Sequence, residues 1–102
     1  MYYCERCHAL NETDNCINCH KKHLRLVSAD DYCFLIEKEM IWSEMLKEVL
    51  DNHGIPYICE SSNGAAMGLN MGVALEHYQI FVPYNCYQKA RGITEEMFEN
   101  NN

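Results

Sequence analysis

The chain has 102 residues, 48% of them hydrophobic, with a formal net charge of −7, enough for one compact domain and a small appendage. Residues 1–25 sum to +1, whereas residues 32–102 carry four basic against ten acidic side chains, which argues against a general nucleic-acid binder. No stretch approaches a membrane span, and the N-terminus (MYYCERCH) lacks a signal-peptide pattern, so the seven cysteines are expected in a reducing cytoplasm.

Tyr2 and Tyr3 read as a short strand leading into Cys4-Glu5-Arg6-Cys7-His8. A second pair follows eight residues later as Cys16-Ile17-Asn18-Cys19-His20. Each C-x-x-C turn aims two sulfurs at one point, and two such turns complete a tetrahedral thiolate cage for Zn²⁺. The spacer Ala9–Asn15 is polar and turn-prone, which lets the chain double back. Cys4, Cys7, Cys16 and Cys19 are therefore the expected ligands of one structural zinc per chain. The rival reading, a pair of redox dithiols, lacks the strand-to-helix context that such motifs occupy. His8 and His20 follow their knuckles at a point that favours positive φ, which histidine tolerates, and are read as knuckle residues and not as ligands. Beyond them, Leu24–Ser28 alternates like the returning strand of a zinc ribbon. The run His20–Arg25 could contact phosphate, or it is simply the solvated face of that strand.

Ser28-Ala29-Asp30-Asp31 breaks the pattern and separates a ribbon, residues 1–28, from a second domain, residues 32–99. Tyr32–Glu37 is an apolar run expected to be a buried strand. Met40–His53 has helical periodicity, with Trp42, Met45, Leu46, Val49 and Leu50 as its inner stripe. Gly54 reads as a left-handed cap, Ile55 as the apolar residue beyond it, and Pro56 as the stop. Ile55–Glu60 is a second strand and His77–Val82 a third, closed by Pro83. Asn85 is positioned to cap a final helix, with Gln88 three residues on and Ala90, Ile93, Thr94, Met97 and Phe98 as its inner face. Gly92 weakens that helix. Cys33, Cys59 and Cys86 stand singly among apolar residues and are read as small core residues.

The order after the ribbon is strand, helix, strand, strand, helix. This predicts an α+β fold with a split β-α-β-β-α, ferredoxin-like domain whose third strand inserts between the first two. Strand 32–37 then lies at an edge, open to the ribbon strand or to a second subunit. Between the second and third strands, Gly64, Gly68 and Gly72 recur every four residues beside Met67 and Met71. The spacing fits neither a phosphate loop nor a dinucleotide fingerprint. The segment 61–72 reads either as an apolar hairpin loop or as a binding loop with close backbone approach and adaptable methionine contacts.

The helix Ser43–Leu50, the following His53-Gly54-Ile55-Pro56, the glycine-rich loop and Ile80-Phe81-Val82-Pro83 together resemble the small prokaryotic "putative signal-transducing protein" domain, a PII-like (ferredoxin-like) relative of unknown function. An N-terminal zinc ribbon is familiar from relatives in that group. The resemblance implies a regulatory or scaffolding role, and it places the effector loop of PII-like proteins at Gly64–Gly72. No ATP-binding residue carries over. The expectation is a non-enzymatic zinc protein that binds a partner protein or small effector through residues 61–72. The alternative is a nucleic-acid or ribosome-associated ribbon using residues 20–25.

Overall fold

A computed structural model describes residues 1–61 and 77–98. Eight elements follow in order: β1 (Tyr2–Tyr3), β2 (Leu10–Asn11), β3 (Arg25–Leu26), β4 (Tyr32–Glu39), α1 (Met40–Asn52), β5 (Ile58–Ser61), β6 (His77–Pro83) and α2 (Tyr84–Phe98). They form an α+β protein with two three-stranded antiparallel sheets, ordered β2-β1-β3 and β4-β6-β5. The second sheet has its last strand in the middle, as the element order predicts, because β4 and β5 run parallel across the α1 crossover. None of the described helices is long and apolar enough to cross a membrane. The segment bearing Gly64, Met67, Gly68, Met71 and Gly72 lies outside the described residues.

In β6, Ile80 and Val82 are fully buried in a core with Leu35, Leu46, Leu50, Ile55 and Ala90. This is the face on which both helices pack. Phe81, between them, points to the opposite face, since successive strand side chains alternate. It lies across from Phe34 of β4 and Ile58 of β5. An irregularity between Phe34 and Ile36 leaves Leu35 without a partner across the ladder, so Leu35 joins the helix-side core without breaking the alternation beyond it.

The end of α1 follows the expected capping in detail. Gly54 has φ +70°; its N–H donates to the Asp51 carbonyl, and the Ile55 N–H donates to that of Leu50. These are the two bonds of a Schellman cap, and Ile55 and Leu50 make the apolar contact that accompanies it. Ile55 is therefore part of the cap and the core, and β5 begins only at Ile58, three residues later than expected.

The inner stripe of α1 differs from the expected one. Ser43, Leu46 and Leu50 are buried, whereas Trp42 and Met45 remain 41% and 49% exposed. Ser43 occupies the inner face because its hydroxyl donates to the Lys38 carbonyl at 3.0 Å, which satisfies an otherwise costly buried group. Trp42 instead rests edge-on against Phe98 of α2, ring centroids 5.8 Å apart.

Asn85 does not cap α2, which already begins at Tyr84. The first N–H groups of the helix, on Tyr84 and Asn85, donate to the carbonyls of Asp31 and Ala29 at 2.8 and 2.9 Å. Main-chain carbonyls of the segment read as a linker thus satisfy donors that a helix start leaves open. The edge of β4 is not extended by β3, which pairs with β1. Instead the Phe34 N–H of β4 donates to the His8 carbonyl at 2.8 Å, and the Tyr32 carbonyl accepts from the Tyr3 hydroxyl at 2.7 Å.

Candidate metal centre

The two knuckles fold by the same pair of main-chain bonds. His8 N–H donates to the Cys4 carbonyl at 2.7 Å and Cys4 N–H to Ala9 at 3.0 Å; His20 N–H donates to Cys16 at 2.9 Å and Cys16 N–H to Lys21 at 2.8 Å. Each turn closes on a histidine in the left-handed region, φ 66° at His8 and 67° at His20, the conformation expected there and costly for most side chains.

These turns bring Cys4, Cys7, Cys16 and Cys19 together, with all four Sγ atoms within 4.8 Å of one another. Cys4 lies 3.5 Å from Cys19 and Cys7 lies 3.5 Å from Cys16, Sγ to Sγ. That is far beyond a disulfide, about 2.05 Å, and all four are free thiols. The cluster could hold a metal ion. Its core is otherwise small: Cys4, Cys16 and Leu24 are buried, with Tyr2, Cys7, Ala9 and Cys19 packed around them.

Burial pushes the Cys4 and Cys16 thiols up, but main-chain N–H groups outweigh it and hold both below the ordinary thiol range. The donors are Cys7 and Arg6 around Cys4, and Cys19 and Asn18 around Cys16. Cys7, in contrast, is raised, chiefly by burial. A cage with two thiols predisposed to ionise is primed for a cation, because only the thiolate ligates.

Three residues that the motif does not reveal complete the centre. Asn11, buried in β2, accepts from Ile17 N–H at 3.2 Å and donates to the Ala9 carbonyl at 3.5 Å, tying one knuckle to the other. The Tyr3 hydroxyl donates to the Tyr32 carbonyl at 2.7 Å and sits 2.7 Å from His8 Nδ1. With its one proton used, the hydroxyl accepts from His8, so Nδ1 carries a hydrogen. Burial, then the nearby Cys33 and Asp31, push the Tyr3 phenol up to about 12, so it stays a neutral donor.

Asp31 is the third. Arg25 meets it through two 2.8 Å bonds, one to each carboxylate oxygen, and also binds Glu5 at 2.8 Å. The guanidinium lies 5.1 Å over the Tyr3 ring. Hydrogen bonding to Arg25 holds the Asp31 and Glu5 carboxyls below their usual range. Of the basic run read as a phosphate contact, Arg25 is thus committed within the chain. Only the doublet Tyr2-Tyr3 before Cys4 hints at this network in the sequence; nothing marks Asn11 or singles out Asp31 from Asp30.

Among the other thiols, Cys33 is fully buried and pushed up to about 12 by that burial, and Cys59 is likewise raised. His77 lies 3.4 Å from Glu37 across β6 and β4. Comparison with family models, curated proteins and solved structures gives no match to this chain.

Proposed function

We propose that this is a non-enzymatic, zinc-stabilised regulatory or adaptor protein of the cytoplasm. Its ribbon holds one structural Zn²⁺ on Cys4, Cys7, Cys16 and Cys19, and its second sheet serves recognition. The observation that carries the reading is the four-sulfur cluster. Thiolates about 2.3 Å from a tetrahedral zinc lie about 3.8 Å apart, close to the 3.5 Å separations between paired sulfurs. All four positions are filled by protein, which is the pattern of structural and not catalytic zinc. The raised Cys33 and Cys59 thiols give no support to nucleophilic chemistry.

A ferredoxin-like, PII-like affiliation fits the β4-β6-β5 order and the helix ending in Gly54-Ile55-Pro56. On that affiliation residues 61–72 form the effector loop for a protein partner or small effector, and the exposed strand β5 offers an edge for a homodimer. Elemental analysis of the untagged chain tests the zinc. Near one zinc per chain, lost in a Cys16→Ala/Cys19→Ala variant, is the expected result; a metal-free parent with four reactive thiols would instead make it a dithiol protein.

A further inference from the structure

Between the first knuckle and the face of the β4-β6-β5 sheet opposite the helices lies a cleft of about 500 Å³, within the size range of small-molecule sites. Its floor is apolar: Phe34 and Phe81 meet edge-to-face, centroids 6.0 Å apart. Above them a polar row crosses all three strands, with Gln79 paired to Glu37 on one side and to Glu60 on the other. Glu37 is engaged, accepting from Gln79 at 3.3 Å and lying 3.4 Å from His77. Among the described residues Glu60 is in no ion pair, and neither is Arg6, which lines the same cleft from the ribbon wall.

Opposite charges that face one cleft from different walls without reaching each other are complementary to a ligand carrying both. We propose that this cleft binds a small zwitterion, a free amino acid or dipeptide with an apolar side chain, its carboxylate on Arg6 and its ammonium on Glu60. The side chain would lie on Phe34 and Phe81. His8 and the amides of Asn18 and Gln79 line the same cleft and offer further hydrogen-bonding groups to the ligand. An Arg guanidinium suits a carboxylate because its fork bonds both oxygens. This inference rests on the zinc-held ribbon proposed above.

The test is titration of the full zinc-loaded chain with L-phenylalanine and with glycyl-L-phenylalanine, followed by amide chemical shifts and calorimetry. L-Phenylalaninamide (no carboxylate) and N-acetyl-L-phenylalanine (no ammonium) are the controls. The expected result is shifts at residues 6–9, 79 and 81, with at least one zwitterion binding tenfold or more tightly than both controls. Arg6→Gln and Glu60→Gln, both exposed and outside either core, should each weaken the zwitterion at least tenfold; Arg6→Gln should spare the amide and Glu60→Gln the N-acetyl compound. Which of the two zwitterions binds better identifies amino acid or dipeptide. No saturable shifts for either zwitterion, or equal affinity for zwitterions and controls, would overturn the proposal. Zinc measured on the same samples separates the two readings: binding absent with zinc present fails this one alone.

Discussion

The two sheets are held by different physics. Around β4-β6-β5 the core is aliphatic, with Leu46, Leu50, Ile80 and Val82 fully buried between sheet and helices. Around β2-β1-β3 three two-residue strands enclose little more than Cys4, Cys16 and Leu24. Burial at roughly 25 cal/mol per Å² stabilises the first. The second has little apolar surface of its own, and on the function proposed above the ion held by Cys4, Cys7, Cys16 and Cys19 supplies what burial does not. On that reading the chain is expected to respond to two separate perturbations, loss of metal and loss of core volume, in two separate places.

The sharpest way to separate the halves is to remove one thiolate. Structural zinc contributes about 10–16 kcal/mol in finger peptides. Cys16→Ala is accordingly expected to lower metal affinity by orders of magnitude in competition with a chromophoric chelator, while α1 and α2 keep their circular dichroism. Next comes the opposite experiment. Leu46→Ala should cost about 3 kcal/mol in denaturant unfolding, because a fully buried leucine leaves a cavity, and zinc per chain should not change.

Smaller effects probe the seam. Tyr3→Phe removes the bond to the Tyr32 carbonyl and the acceptor of the His8 Nδ1 proton, at an expected cost of about 1–2 kcal/mol, with faster exchange at Phe34 N–H. The smallest change should be favourable. A Cβ on Gly92 meets nothing within 4 Å, so Gly92→Ala is expected to raise stability by about 0.5–1 kcal/mol, read as a higher midpoint with unchanged zinc. Any shift in metal affinity on Leu46→Ala or Gly92→Ala would mean that the halves share one cooperative core.

Local signals were legible in the sequence and tertiary ones were not. The paired C-x-x-C turns, the positive φ at His8 and His20, and the Gly54-Ile55 cap follow from residue types at fixed spacing. The α+β class and the insertion of β6 between its neighbours follow from element order. The inner face of α1 was misread because Trp42 and Met45 are as apolar as Leu46. What turns the helix is a hydroxyl bond from Ser43 to Lys38, invisible to a hydrophobic pattern. Asn85 looked like a cap since local chemistry favours it, yet carbonyls more than fifty residues away took the role. Strand β2, with only two residues, carries no periodicity to detect. The seam through Tyr3, Arg25 and Asp31 depends on contacts between segments that sequence reading treated as separate.

The most direct measurement is residue-resolved hydrogen exchange at neutral pH, with and without a zinc chelator. With metal, the knuckle amides of Cys4, His8, Cys16 and His20, each bonded to a main-chain carbonyl, should be protected. On chelation they should exchange freely, while amides of Leu46, Leu50 and Ile80 keep their protection. Knuckle protection that survives metal removal would contradict a metal-held ribbon, and loss of protection in both halves together would contradict their separate stabilisation.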